Sequence, residues 1–149
     1  MYHIKKFEKH MQREVMEFYK KCLPQSGRCF QPEGVHRYLT EIEKNFEFFL
    51  CLFDELDLIG TIAIRRMDKD KCELKAFYLL NDYHGKGLGM KLMQDAIDYA
   101  KKSGFREMYL DTITSKSLRA IRLYRRCGFI DTEKYNNAIE ADLFMKLIL

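Results

Sequence analysis

Three apolar runs in close succession, separated by charged turns and ending at a glycine-rich loop, restrict this chain more than any other feature. Phe46 to Phe53 is rich in aromatic and aliphatic residues, Asp54 to Asp57 turns, and Leu58 to Met67 returns as a second run. A third run, Cys72 to Leu80, follows the charged turn Asp68 to Lys71. Runs of this kind read as strands, and three of them joined by such short turns form an antiparallel meander. Immediately afterwards stand His84, Gly85, Lys86, Gly87, Leu88 and Gly89. The pattern then changes to Leu88, Leu92, Ala96, Tyr99 and Ala100, which is the spacing of an amphipathic helix. Asp98 and Lys102 form a favourable i, i+4 pair and Gly104 stops the helix, which is about 17 residues long.

A strand-to-helix junction rich in glycine is suited to an anion. Glycines let backbone N–H groups approach a ligand closely, and the first helical turn leaves its N–H groups unpaired at the positive end of the macrodipole. Lys86 and Lys91 add positive charge. A Walker A loop is a poor match, because no Ser or Thr follows either lysine to hold magnesium. A dinucleotide fingerprint is also a poor match, since the spacing is G-x-G-x-G. Taken alone, the loop also reads as a turn that merely connects strand to helix, so its flanks must decide.

The rest of the chain sets the frame. Its 149 residues suit a single domain over residues 1–149 with a core that needs neither disulfide nor metal. Tyr2 to Phe7 is a strand candidate, and Met11, Val15, Phe18 and Tyr19 lie on one face of a helix that Pro24 ends. Pro32 to about Lys44 reads as a second helix with Val35, Leu39 and Ile42 on one side. Arg106 to Asp111 is a strand, and Ser115 or Ser117 caps a helix whose face is Ala120, Leu123, Tyr124 and Cys127. Phe129 to Glu133 and Ala141 to Ile148 close the order, which is α+β around one mixed sheet.

Composition narrows the function classes. A net charge of +4 spread among 22 acidic residues gives no basic tract, so nucleic acid is not expected as a partner. Five cysteines, an odd number without a C-x-x-C pair, read as reduced and mostly buried thiols and point to the cytoplasm. The four histidines lack the i, i+4 spacing of a helical metal site, so no metal is expected. No apolar stretch approaches ~18 residues, which speaks against a membrane span or secretion.

Four pieces in this order resemble the GNAT superfamily of N-acetyltransferases: Glu73-Leu74-Lys75, the strand end Phe77-Tyr78-Leu79, the loop His84 to Gly89, and Ala120 through Leu123-Tyr124 to Gly128-Phe129. The match is best over residues 46 to 130, while the first 45 residues agree in element order only. The resemblance implies a mixed, mostly antiparallel sheet of about seven strands flanked by about four helices. It implies acetyl-CoA as co-substrate, with its pyrophosphate on the backbone of His84, Gly85, Lys86, Gly87, Leu88 and Gly89. Its pantetheine would lie along Phe77, Tyr78 and Leu79, with further contacts from Ser117 and Tyr124. The physics agrees, because an extended amide-bearing chain can hydrogen-bond to a strand edge where the next strand diverges. Three positions depart from the family pattern: His84 stands where Arg or Gln is usual, Ser117 where Asn is frequent, and Ala76 where Arg is frequent. The first two would weaken phosphate and pantetheine contacts respectively.

Acetyl transfer to an amine poses two proton problems. An alkyl ammonium with a pKa near ~10 must lose a proton before attack, and the departing thiolate gains from receiving one. Tyr124 sits at the family's general-acid position, and a phenol stays protonated at neutral pH. Glu73 and Asp111 are the candidate bases, Glu73 ranked first because its side chain reaches further. A backbone N–H near Leu79 would polarise the thioester oxygen. The expected reaction is direct transfer from acetyl-CoA to a primary amine of a small molecule, protein or peptide. The alternative is a degenerate acyl-CoA-binding sensor. The acceptor would be chosen by the loop near Gly27, the second helix and the Lys134 to Glu140 segment. Both a monomer and a homodimer through the apolar closing strands fit the pattern.

Overall fold

The computed structural model describes all 149 residues. The apolar runs become seven strands: β1 Tyr2–Lys6, β2 Phe48–Asp54, β3 Asp57–Arg66, β4 Lys71–Leu79, β5 Glu107–Thr112, β6 Ile130–Asp131 and β7 Leu143–Ile148. They form one sheet in the order β1-β2-β3-β4-β5-β7-β6. Every neighbouring pair is antiparallel except β4 with β5. The expected α+β architecture with a mixed, mostly antiparallel sheet is therefore present, and the meander β2-β3-β4 is its centre.

Four α-helices accompany the sheet: α1 Gln12–Cys22, α2 Ile42–Asn45, α3 Leu88–Lys102 and α4 Leu118–Arg126. β2 and the middle of β3 are almost wholly apolar because both of their faces are covered. Tyr19 of α1 reaches Thr61 on one face of β3 (3.1 Å), while Tyr99 of α3 stacks on Phe48, the cross-strand partner of Ile64 on the other (4.0 Å between rings). On α1 the buried residues Val15, Phe18, Tyr19 and Cys22 follow helical spacing, and on α3 Leu92, Met93, Ala96 and Ala100 are completely buried. Each such large aliphatic side chain contributes about 1.5–3 kcal/mol by leaving water.

One irregularity shapes everything that follows. Thr61 pairs with Tyr78 but Ala63 pairs with Lys75, so Ile62 stands opposite two residues and β4 carries a bulge. Ala76 within it has φ +53°, a conformation that side chains other than glycine adopt at a cost of about 1–3 kcal/mol. Thr61 holds the distortion by donating its hydroxyl to the Ala76 carbonyl at 2.7 Å. Having given up its proton there, Thr61 accepts one from Tyr19. Beyond the bulge β4 leaves its neighbour: β4 and β5 pair only over Lys71 to Glu73, although β4 continues to Leu79 and β5 to Thr112. A cleft opens between them.

Several local expectations are corrected. Residues 32–44 are not one helix but a 3-10 turn, Arg37–Leu39, followed by the single-turn α2. The Gln12 side chain takes both the Leu39 carbonyl (2.9 Å) and the Ile42 N–H (3.0 Å), and Thr40 bonds back to the Arg37 carbonyl (2.7 Å), so side chains satisfy groups a helix would pair. Val35, expected on the buried side, is exposed. Ser117 precedes α4 but its hydroxyl caps nothing in the helix, because Thr112 and Arg28 both donate to it at 2.6 Å. On α4 the fully buried residues are Ile121 and Tyr124, with Ala120, Leu123 and Cys127 half-buried. All five cysteines are free; Cys22, Cys51 and Cys72 are buried and Cys29 is exposed. No helix is long and apolar enough to cross a membrane.

Candidate active site

The loop after β4 presents bare main chain. The N–H groups of residues 85–90 find no acceptor in the protein, and the first bond of α3 is Lys91 N–H to Gly87 O at 3.1 Å. Gly85 and Gly87 have φ +78° and +79°, which turn consecutive N–H groups to one side and which L side chains rarely adopt. Open space surrounds both of their α-carbons. Gly89, one turn inside, lets the helix start approach the strand: a Cβ there would stand 3.4 Å from Leu123 Cδ1 and 3.5 Å from Phe77 Cζ. A 15-residue helix with its first turn unpaired is an anion seat of the kind that holds phosphates. His84 turns inward, its Nε2 3.0 Å from the Leu79 carbonyl. Lys91 is paired with Asp95 at 2.8 Å, so it adds less charge than expected, while Lys86 is exposed and unpaired.

The cleft between β4 and β5 has a volume of about 590 Å³. Among the residues singled out from the sequence, it brings together Glu73, Phe77, Tyr78 and Leu79 of β4, His84 and Gly89 after it, Asp111 of β5, and Ser117 and Tyr124 of the α4 region. Gly85, Lys86, Gly87 and Leu88 are not part of its lining; they form the adjoining loop.

Tyr124 projects from α4 with its ring 6.0 Å from Phe77 and 5.6 Å from Phe129, and it is buried. Its hydroxyl makes no hydrogen bond within the protein, yet no fully enclosed polar atom lacks a partner, so the hydroxyl opens to the cleft. Burial pushes this phenol well above its ordinary value, Tyr78 adds to the effect and Arg28 opposes it. The group is a proton donor throughout the neutral range.

The two carboxylates differ sharply. Glu73 has no exposed surface, and both of its oxygens are engaged. Oε1 accepts from Arg65 Nη2 (2.6 Å) and Nε (3.2 Å), with Lys75 Nζ at 3.9 Å; Oε2 accepts from the Tyr135 hydroxyl (2.6 Å) and Asn136 Nδ2 (3.2 Å). Burial pushes the carboxyl up, but Lys75, the Tyr135 hydroxyl and Arg65 together outweigh it and hold the value below the usual one. Such a carboxylate is a poor proton acceptor, whatever its reach. Asp111 is half-buried, accepts a single hydrogen bond from Asn136 Nδ2 at 2.5 Å, and has no cation within 4.0 Å.

Three participants had no sequence motif. Tyr135 and Asn136 tie the segment between β6 and β7 down onto both carboxylates. Arg28, in the loop after α1, crosses to the start of α4 and also lines the cleft. The adjacent hydrogen-bonding side chains Tyr135, Asn136 and Asn137, in a stretch without periodicity, are the one signal that marked a pinned segment. No cluster of three His, Cys, Asp or Glu side chains is placed to hold a metal ion.

Comparison with known proteins places the chain in a family and its fold among solved structures. The model of the acetyltransferase (GNAT) family matches residues 12–129. An uncharacterized N-acetyltransferase of Schizosaccharomyces pombe is 39% identical over 77 residues, 51% of this chain and 47% of that protein. The aligned stretches span about half or less of the curated relatives' own length. A GNAT-family acetyltransferase structure from Staphylococcus aureus Mu50 superposes with a TM-score of 0.87 at 20% identity, covering 98% of each chain. The PaiA N-acetyltransferase of Thermoplasma acidophilum, solved in complex with coenzyme A, superposes with a TM-score of 0.74 at 19% identity, over 100% of this chain and 99% of that one.

Proposed function

This chain belongs to the GNAT acetyltransferase family, and on that premise we propose that it transfers an acetyl group from acetyl-CoA to a primary amine by direct attack, as one domain over residues 1–149. The observation that carries the reading is the run of unpaired N–H groups at residues 85–90 beside a cleft holding a protonated phenol and an unpaired carboxylate. The donor set fits a pyrophosphate, since it offers hydrogen bonds and a helix dipole without a metal ligand. Bound acetyl-CoA supplies the acetyl thioester.

The chain's own residues have distinct tasks. The N–H groups of Gly85, Lys86, Gly87, Leu88 and Gly89 hold the diphosphate, and Phe77, Tyr78 and Leu79, with His84 and Ser117 beside them, flank the pantetheine arm where β4 leaves β5. Asp111 receives a proton from the acceptor's ammonium, directly or through one water. As the nitrogen bonds to the acetyl carbon and the carbon–sulfur bond breaks, Tyr124 gives its proton to the departing sulfur. The nitrogen sheds a second proton that restores Tyr124, so one proton is released overall. Glu73, ranked first from sequence, is assigned here to position Tyr135 and Asn136.

Tyr124→Phe separates catalysis from binding. Thermal stabilisation by acetyl-CoA is expected to persist while amine-dependent release of CoA thiol collapses. Equal turnover by the variant would remove Tyr124 from the chemistry. Stabilisation without turnover in the unaltered protein would instead leave an acyl-CoA sensor.

A further inference from the structure

Arg28 is the half-buried cation of the cleft that has no carboxylate partner and no task in the reaction above; the other unpaired charges of the lining, Lys116, Arg119 and Glu140, are exposed. Arg28 is rigidly held: Nη1 donates to Ser26 Oγ (2.7 Å) and the Lys116 carbonyl (3.1 Å), and Nη2 donates to Ser117 Oγ (2.6 Å). All three acceptors are neutral. No carboxylate lies within 4.0 Å, in contrast to Arg65, which is paired with Glu73 in the same cleft. A guanidinium carries five N–H donors, so Nε and one N–H of Nη2 remain unpaired and can donate to a ligand. A half-buried cation satisfied only by neutral acceptors keeps its charge uncompensated, and its free N–H groups are open to a ligand that brings the opposite charge.

The donor's diphosphate has a different seat in the reading above. Its seat lies at the head of α3, and α3 covers the face of the sheet opposite α1, whose trailing loop carries Arg28. Around Arg28 are Cys22, His36 and Tyr78, with Tyr124 of α4 also within reach of its charge. Asp111, also in the cleft, is a carboxylate without a cation. Arg28 and Asp111, half-buried and of opposite sign, therefore face one volume, with the exposed Lys116, Arg119 and Glu140 at its edge.

We infer that the acceptor carries an anionic group, in the simplest case a carboxylate, beside its amine, and that Arg28 recognises that group while Asp111 receives the ammonium. This rests on the acetyl-transfer reading but adds a substrate class: amino acids or amino-carboxylates rather than simple amines. The nearby cations Arg65 and Lys75 reinforce the field, since they share the single carboxylate of Glu73.

The test uses a matched pair, 4-aminobutanoate and 4-aminobutanamide, whose amines titrate alike so that nucleophilicity does not confound charge. The acid is expected to exceed the amide in kcat/KM by about 10- to 100-fold, as a charge-assisted pair supplies. Arg28→Gln is expected to collapse that ratio towards one through loss of the acid member, and Arg28→Lys to restore part of it. Equal kcat/KM for the pair in the unaltered protein overturns the inference, as does an Arg28→Gln variant that slows both members and leaves the ratio intact. Calorimetric binding of the same pair to the CoA-loaded protein reads recognition without turnover. A protein that binds the acid selectively but acetylates neither keeps this inference and overturns the acetyl-transfer reading alone.

Discussion

Over residues 85–90 the protein offers main-chain N–H groups from one contiguous stretch, whereas the Glu73 and Asp111 end of the same cleft is built from side chains of four separate stretches. The first end depends on conformation alone: two left-handed glycines and a helix start create it, and almost any side chain at Lys86 or Leu88 would leave the N–H groups in place. The second depends on identity. Exchange one donor or acceptor among Arg65, Glu73, Tyr135, Asn136 and Asp111, and a partner in the cleft loses its bond. A molecule divided this way can keep one donor and change acceptors by altering a few side chains.

Substitutions at either end, and at the phenol between them, probe this division. The largest effect is expected from Tyr124→Phe, which belongs to neither end: kcat should fall about 10²- to 10⁴-fold, the usual contribution of general acid catalysis, with acetyl-CoA affinity retained. Steady-state kinetics beside a thermal shift assay measures both. Next is Gly87→Ala, which forces a side chain into φ +79° at about 1–2 kcal/mol. The Kd for acetyl-CoA is expected to rise about tenfold while the acceptor KM holds; an equal rise in both would erase the distinction between the ends.

Tyr135→Phe acts at the other end. It removes one donor from a carboxylate with no exposed surface, so urea unfolding should show a loss of about 1–3 kcal/mol. The acceptor KM should rise with little change in acetyl-CoA binding. The smallest effect concerns acid. The folded Glu73 carboxyl lies below its ordinary value of 4.5, so the stability it contributes is complete above that value and is lost as pH falls through the folded one. Urea midpoints between about pH 3 and 6 should therefore fall more steeply for the unaltered protein than for Glu73→Gln. Parallel slopes would mean that Glu73 titrates alike folded and unfolded.

How much of this was legible in the sequence follows the same division. The loop could be read because its information is local: glycines, a strand end and a helix period within a few residues. The meander and α3 could be read for the same reason. Arg28 to Ser117 and Tyr135 to Glu73 join residues 89 and 62 positions apart, and no spacing rule links such pairs. Glu73 shows the cost of reading a residue alone. Its reach suggested a base, but Lys75 two residues on, with Tyr135 and Arg65 from other segments, holds its carboxyl below the usual value, and Asn136 adds a further hydrogen bond. The second helix failed for a related reason, since the Gln12 side chain that fixes residues 39 and 42 comes from another element.

The most direct measurement is the release of free CoA thiol from acetyl-CoA across a panel of amines, with product identified by mass. Thiol release that depends on an amine, yields the N-acetylated amine and is lost in Tyr124→Phe is the expected result. Stabilisation by acetyl-CoA with no amine-dependent release from any acceptor would contradict it.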